Sequence, residues 1–265
     1  MKKRNWYMRF GVVLTALMLL FMLLGLFWTP YEPDRLSGAD KLARPGAEHI
    51  FGCDHLGRDV FSRTLDGSGT TLIISLAVVL TGFVFGLLIG AVCGYYGGVV
   101  DAVLMRLCDT ITAFPSILLA MVVIAVIGPG TYNVIAALGL LFVPSFARLV
   151  RGEFLKYRDR DFVQSARLAG VSDRRIIFVH ILPNTWPVLL SGLTIGFNNA
   201  VLAEASMSFL GIGVGPAEAS LGRMLSEGQG SLLTAPWCTL FPALVVILLV
   251  LGLGMLGEGI LERVG

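Results

Sequence analysis

Six long apolar stretches separated by polar segments set the pattern of this chain. They lie at residues 10–28, 70–94, 102–127, 132–147, 186–210 and 236–257. A helix needs about 20 apolar residues to cross a ~30 Å hydrocarbon core. Five stretches come close to this length, and a helix extended toward Val150 would lengthen the short one at 132–147. The pattern predicts an all-α polytopic membrane protein with six transmembrane helices.

Composition agrees with this interpretation. Hydrophobic residues make up 55% of the chain and charged residues only 14%, and the mean hydropathy is +0.80. These values are too apolar for an ordinary soluble domain. The net charge of +2 gives no reason to expect a nucleic-acid partner.

The first apolar stretch resembles a signal peptide because basic residues precede it. It ends in Phe27-Trp28-Thr29-Pro30-Tyr31 without a small-residue cleavage site, so we interpret 10–28 as a retained first helix after a cytoplasmic segment 1–9. An external loop is then expected at 29–69, and a core of five further helices at 70–257. A cytoplasmic segment 258–265 would end the chain.

Basic residues decide the orientation. With six crossings, only six of the 20 Lys and Arg residues fall on the side opposite the termini. Those six are Arg35, Lys41, Arg44, Arg58, Arg63 and Arg223. Cytoplasmic loops carry the excess of Lys and Arg, so both termini and the polar interval 148–185 are predicted to be cytoplasmic.

The second stretch carries a glycine at every fourth position, namely Gly82, Gly86, Gly90 and Gly94. Such positions share one helix face, which lets another helix backbone come close. A static packing seam is the favoured interpretation, and a sliding helix contact is the alternative.

Sequence motifs for chemistry are sparse. No G-x-x-x-x-G-K-[ST] loop occurs, so we expect a transport subunit without its own P-loop ATPase, without a cofactor and without enzyme activity. His49, Cys53 and His55 are weak candidates for metal binding, because imidazole and thiolate are transition-metal ligands but their spacing matches no standard zinc pattern. None of the four cysteines forms a C-x-x-C pair, so free apolar cysteines are expected.

Glu204 falls deep in the fifth stretch, after Asn198 and Asn199. A carboxylate inside a membrane is costly and marks a functional hypothesis. These three residues either line a translocation path, or Glu204 holds a helix pair together by hydrogen bonds. Nearer the cytoplasm, Arg106 and Asp109 are three residues apart and are expected to pair.

The polar interval contains signals for two short helices. Asp161–Ala169 predicts a helix with Phe162, Ala166 and Ala169 on one face, and Gly170 is a usual residue for ending it.

Ser172 can cap a second helix, which carries Ile177 and Ile181 on one face and is expected to stop at Leu182-Pro183. Because long ordered loops are usually functional, the interval predicts a docking surface. An amphipathic helix resting on lipid headgroups is the alternative.

The residues Gln164-Ser-Ala-x-x-x-Gly170 followed by Leu182-Pro183 resemble the EAA loop of ABC importer permeases. Asp161-Phe-Val-Gln-Ser-Ala-Arg, Phe51-Gly-Cys-Asp-His-Leu-Gly-Arg-Asp and Ala203-Glu-Ala-Ser-Met-Ser-Phe-Leu-Gly are similar to the C-type subunit of the dipeptide/oligopeptide/nickel permeases. The chain departs from the motif at Gln164, where the family usually has Glu, and at Ser165, where it usually has Ala.

The resemblance implies a type I ABC importer transmembrane domain in a bacterial cytoplasmic (inner) membrane. It implies that the loop couples to ATPase subunits through seven residues, which are Asp161, Gln164, Ser165, Ala166, Gly170, Leu182 and Pro183. A second permease subunit, two cytoplasmic ABC ATPases and an extracytoplasmic binding protein would be partners.

Short peptides are the expected substrate, with nickel, free or chelated, as the alternative. A channel or secondary transporter outside the ABC class would be expected to show inverted repeats and several intramembrane ionisable residues. A membrane scaffold that recruits a partner without transport is a further alternative.

Overall fold

The computed structural model describes residues 2–215 and 218–264. Met1, Pro216, Ala217 and Gly265 lie outside the described residues, as do the side chains of 2–5 and 263–264. The predictions for the outer ends of segments 1–9 and 258–265, with the charges of Lys2, Lys3, Arg4 and Arg263, therefore fall outside this description.

Helices form the regular structure of the described ranges, apart from one isolated β-bridge between Cys53 and Asp59. The α-helices are Lys2–Gly25 (α1), Val60–Tyr96 (α2), Gly98–Thr112 (α3), Ser116–Ile127 (α4), Thr131–Tyr157 (α5), Asp161–Leu168 (α6), Asp173–Arg175 (α7), Leu182–Phe209 (α8), Leu221–Gly228 (α9) and Trp237–Val264 (α10). A π-helical segment at Ile176–Ile181 joins α7 to α8, and a 3-10 turn at Gln229–Ser231 follows α9.

The helices extend beyond the predicted apolar stretches. α2 begins at Val60, ten residues before the span expected from Thr70, and α5 continues to Tyr157, ten residues past Ala147. Helical structure thus reaches into the predicted external loop 29–69 and into the predicted cytoplasmic interval 148–185. Hydropathy reports only the lipid-embedded part of a helix, whereas capping sets its end: Asp59 accepts a hydrogen bond from the Ser62 amide at 2.7 Å.

Five helices in the described ranges are long and apolar enough to span a membrane, and α3 and α4 form a sixth candidate bent by 86°. The bend follows from Pro115, which lacks an amide donor and disfavours helical geometry in the residue before it. The predicted span 102–127 is therefore two helices rather than one.

Contacts with α5 show that this bent pair extends along the whole length of that helix. The start of α3 lies at the cytoplasmic end of α5, where Arg151 Nη2 is 2.6 Å from Asp101 Oδ2. The residues after α4 lie at the other end, where the Gly130 amide donates to the Gly213 carbonyl at 3.2 Å. Together with the five long helices this gives up to six spans in the described ranges, the number that the sequence predicts.

The glycine row of α2 packs against α5. A Cβ atom added at Gly86 would lie 2.5 Å from Phe146 Cβ, and one added at Gly90 would lie 2.5 Å from the Ala147 carbonyl oxygen. Gly82 and Gly94 face α5 in the same way. Backbones at this separation form the packing seam that the spacing predicts.

Buried ion pairs order the external layer. Arg58 Nε lies 2.7 Å from Asp54 Oδ2, and Arg58 Nη2 lies 2.7 Å from Glu227 Oε2 on α9. Arg63, almost fully buried, contacts Glu227 at 3.3 Å and Asp34 at 2.7 Å. Buried charges need such partners, so this network fixes the external loop to the start of α2 and to α9.

Candidate coupling surface and membrane cavity

The cytoplasmic elbow, residues 161–175, consists of α6, a turn and α7. Gly170 has φ +74°, the left-handed conformation that glycine adopts without strain, and it ends α6 as predicted. The face on which the sequence places Phe162, Ala166 and Ala169 is not the one that packs on the bundle: Val163 and Ala166 are buried, whereas Phe162 and Ala169 are exposed. The cause is the orientation of α6 on the bundle, which its own sequence does not specify.

The second half of the interval differs from the prediction. Ser172 occupies the N-cap position, but its hydroxyl makes no capping bond and its carbonyl accepts from the Ile176 amide. The helix does not stop at Leu182-Pro183; it continues through the π-helical segment into α8. Pro183 lies in the first turn of α8, directly after the π-helical segment, where the change of hydrogen-bond register accommodates a residue without an amide donor.

The predicted core face of this segment is present. Ile177 and Ile181 are buried together with Ile176. Leu182 is partly buried, and Pro183 is exposed in the first turn of α8.

The side-chain amide of Gln164 makes a local hydrogen bond that a glutamate could not make. Its Nε2 atom donates to the Asp159 carbonyl at 3.0 Å, in the turn that leads into α6. A glutamate carboxylate has no proton to donate at neutral pH. Gln164 therefore stabilises the entry to the elbow, while Ser165 is exposed beside it and Asp161 stands in the first turn of α6.

Tyr95 connects the elbow to α2. The sequence gives no indication of this contact. The Tyr95 hydroxyl donates to Asp173 Oδ1 at 2.6 Å, and the Arg167 guanidinium lies 4.9 Å from the centre of the tyrosine ring. No local pattern links residues so far apart in the chain. A tyrosine at the cytoplasmic end of a span is an ordinary interfacial residue by sequence.

The predicted Arg106–Asp109 pair is replaced by pairs between helices. Arg148 Nη1 lies 3.1 Å from Asp109 Oδ1, and Arg151 pairs with Asp101. Both arginines belong to α5, which packs beside α3. Asp109 therefore pairs with an arginine of the neighbouring helix and not with Arg106 of its own helix.

A membrane cavity of about 530 Å³ opens between α4, α5 and α8. Apolar side chains and four polar ones line it. The polar residues are Ser116, Ser145, Asn199 and Ser206. No charged side chain is among its described lining residues.

The structure places Asn199 in the cavity lining, but Asn198 and Glu204 outside it. The pathway role of Asn198, Asn199 and Glu204 stays a prediction. At ~100° per residue, positions 199 and 204 point ~140° apart around α8. Glu204 is fully buried instead, where Thr71 Oγ1 donates to Oε2 at 2.8 Å and Ser208 Oγ donates to Oε1 at 2.7 Å. It joins α8 to α2 by hydrogen bonds.

The weak metal candidates do not come together. His49 Nδ1 pairs with Asp59 Oδ1 at 2.8 Å, and Cys53 is buried. His55 lines a separate small void near Arg63 and Glu227. Within 2–215 and 218–264, no group of three His, Cys, Asp or Glu residues is placed to hold a metal ion.

Cys53 and Cys238 do meet on the external side. Cys238 Sγ lies 3.5 Å from the Cys53 carbonyl oxygen, and both are free thiols. Burial, together with nearby Asp59, raises the pKa of the Cys53 thiol to about 12. Cys53 therefore stays protonated at physiological pH.

A bundle of apolar helices with a cavity between them, one of which continues into an exposed elbow, is an architecture that suits a membrane transport protein. Residues 82–264 match the family described as the binding-protein-dependent transport system inner membrane component. The chain belongs to this family and is a multi-pass protein of the bacterial inner membrane, which confirms the resemblance of its motifs.

Curated relatives match over nearly the whole chain. The dipeptide transport system permease protein DppC of Alkalihalophilus pseudofirmus is 35% identical over 258 residues, covering 97% of this chain and 85% of that protein. The glutathione transport system permease protein GsiD of Escherichia coli is 39% identical over 259 residues, covering 97% and 86%.

Among solved structures, the inward-facing MetNI methionine ABC transporter aligns with a TM-score of 0.63 at 20% identity. The alignment covers 77% of this chain and 96% of that one. At this identity the likeness concerns the fold, and it confirms the type I ABC importer architecture expected from the motifs.

Proposed function

We propose that this chain is the permease subunit of an ATP-driven importer of short peptides and forms half of the translocation pathway. One observation carries the proposal: the exposed elbow 161–175 is continuous, through the π-helical segment, with α8, whose residues Asn199 and Ser206 line the membrane cavity. A force applied to the elbow from the cytoplasm is thereby delivered to the cavity wall.

The outer surface of the elbow has the character of a docking surface. Leu168 is 90% exposed and Phe162 is also exposed. Exposed apolar side chains beside polar ones are typical of a protein contact. A cleft in a cytoplasmic ABC ATPase would cover Phe162, Leu168 and the neighbouring Gln164 and Ser165, while the buried Ala166 and the Gly170 turn set the shape that fits it.

ATP hydrolysis belongs to two partner ATPase subunits in this proposal, since the chain has no P-loop motif. A second, homologous permease subunit completes the pathway as a heterodimer, and an extracytoplasmic binding protein delivers the substrate. The chain itself needs no cofactor.

Two observations favour peptides over nickel. The relatives named above are dipeptide and glutathione permeases by name. The lining of the membrane cavity is apolar with serine and asparagine side chains, so it offers none of the imidazole, thiolate or carboxylate ligands that Ni²⁺ prefers. A neutral lining suits varied peptides whose selection occurs on a binding protein.

Cross-linking and transport test the proposal together. The four native cysteines are buried, so Leu168→Cys introduces a single exposed thiol on the elbow. We expect this variant, in the assembled transporter, to cross-link to the ATPase subunit. Leu233, which is 99% exposed after α9, gives the control Leu233→Cys on the external side, which should be labelled from outside and should not cross-link to the ATPase.

Proteoliposomes containing the complete transporter should take up a labelled dipeptide or tripeptide only with ATP and binding protein. Absence of the Leu168→Cys cross-link would overturn the coupling role, and uptake without ATP would indicate a channel or secondary transporter. ATP-dependent uptake of nickel but not of peptide would overturn the proposed substrate. Assembly with no uptake of either would leave a scaffold as the function.

A further inference from the structure

We infer that Tyr95 is a positioning residue for energy coupling, because it ties the cytoplasmic elbow directly to α2. The inference rests on the proposed function of the elbow and adds a second mechanical connection to it. The three residues Tyr95, Arg167 and Asp173 form what we call the tyrosine latch.

The latch holds the elbow on both sides of its turn. Arg167 is near the end of α6, and Asp173 is the first residue of α7, so one tyrosine contacts both helices across Gly170. The 2.6 Å bond from the Tyr95 hydroxyl goes to a carboxylate, which makes it charge-assisted and stronger than a neutral bond. The Arg167 guanidinium faces the same ring at 4.9 Å, within the range of a cation–π interaction.

The α2 end of the latch is rigid. Tyr95 is buried, and it follows Gly94, where an added Cβ would lie 2.5 Å from Phe154 Cβ on α5. Close backbone packing of this kind leaves α2 and α5 little room to move independently. Because α5 contributes Ser145 and Phe146 to the membrane cavity, motion at the latch reaches a second wall of the same cavity.

The direct connection through α8 is the more compliant of the two. It passes through the π-helical segment Ile176–Ile181 and then Pro183 and Pro187, neither of which has an amide proton for the helix ladder. Part of a displacement of the elbow can be absorbed there by a change of helical register, so α8 delivers only the remainder to the cavity wall. The latch has no such joint between Asp173 and α2, so we assign it the transfer of elbow motion to the α2–α5 pair.

Tyr95→Phe removes the hydroxyl donor and keeps the ring that Arg167 faces. We measure two quantities in proteoliposomes containing the complete transporter: ATP hydrolysis stimulated by the binding protein, and peptide taken up per ATP hydrolysed. We expect Tyr95→Phe to assemble and hydrolyse ATP but to lower uptake per ATP by about fivefold or more, the scale expected for losing one charge-assisted hydrogen bond.

Tyr96→Phe is the matched control. The Tyr96 side chain is exposed, and its hydroxyl lies 3.5 Å from Asp173 Oδ2, longer than a normal O–H···O bond. The same chemical change one residue away should leave uptake per ATP unchanged. Asp173→Asn, which keeps an acceptor oxygen but loses its charge, should give an intermediate loss and serves as a second variant if Tyr95→Phe fails to assemble.

Wild-type uptake per ATP in Tyr95→Phe and Asp173→Asn, with normal assembly, would overturn the latch. An equal loss in Tyr96→Phe would also overturn it, because the effect would then belong to the helix end in general. The Leu168→Cys cross-link separates this failure from failure of the proposed function. If the cross-link forms in the Tyr95→Phe background and coupling is normal, only the latch is wrong.

Discussion

Thr71 on α2 and Glu204 on α8 are joined by a 2.8 Å hydrogen bond inside the membrane bundle. The same Thr71 hydroxyl oxygen lies 3.4 Å from the Leu221 amide at the start of α9, and Ser208 bonds the other carboxyl oxygen of Glu204. One buried carboxyl group thus connects two spanning helices near the external helix α9. These hydrogen bonds fit the second of the two roles considered for Glu204, that of holding a helix pair together.

Glu204→Gln should therefore preserve most of the transport rate, because an amide of the same shape can still bond both hydroxyls. Glu204→Leu leaves the Thr71 and Ser208 hydroxyls without this partner, and each buried unsatisfied group costs about 1–3 kcal/mol. We expect its melting temperature in detergent to fall by several degrees. Ser206→Ala, which removes only a bond to the Leu202 carbonyl within α8, is the control and should change the melting temperature little. Altered substrate preference in Glu204→Gln at normal stability would instead support the pathway role.

The α2–α5 seam predicts a strong contrast between two glycines. Gly90→Ala places a Cβ 2.5 Å from the Ala147 carbonyl oxygen, a backbone atom that cannot turn away. We expect a loss of about 1–3 kcal/mol from this overpacking, seen as a lower melting temperature and lower yield of assembled transporter. Gly254→Ala on α10 meets no atom within 4 Å and should be neutral or slightly stabilising, since alanine favours a helix over glycine. Equal behaviour of the two variants would contradict the packing of the seam.

A substitution at Gly170 is expected to act through the backbone conformation rather than through a steric clash. Nothing lies within 4 Å of an added Cβ, but φ is +74°. Gly170→Val should insert and assemble normally, yet lower peptide uptake relative to ATP hydrolysis, because a β-branched residue resists this backbone conformation. Gly170→Asn should keep most of the coupling, as asparagine adopts positive φ more readily. Full-rate transport by Gly170→Val would show that the turn geometry is not needed.

The raised pKa of the Cys53 thiol predicts that its rate of reaction with maleimide depends on pH. Its pKa is raised to about 12 by burial, so the folded protein contains only ~10⁻⁴ of this thiol as reactive thiolate at pH 8. We expect maleimide to label Cys53 at least about a hundredfold more slowly than an exposed cysteine at Leu168→Cys. Mass spectrometry after timed labelling at pH 7, 8 and 9 measures this. Because the folded pKa lies above the ordinary value, the protection is lost when the protein unfolds, and rapid labelling of the folded protein would contradict the burial.

Several features of this protein follow from local pattern alone. Six crossings, the orientation of the termini, the glycine face of α2 and the Gly170 break depend on the hydropathy, charge and backbone preferences of short segments. Each of these quantities belongs to a residue and its near neighbours, so the sequence predicts them. The family follows from the resemblance of the EAA-like residues and the other quoted segments to known permeases.

Tertiary structure decided the contacts that give these segments their roles. The Thr71–Glu204 and Tyr95–Asp173 bonds join residues 133 and 78 positions apart, and α3 exchanges its predicted internal pair for arginines of α5. Two further features depend on the surface that each segment packs against. They are the buried face of α6 and the continuation of the helix past Pro183 into α8. A hydrogen bond or buried face needs two elements in fixed relative positions, and those positions arise only when the whole bundle has packed.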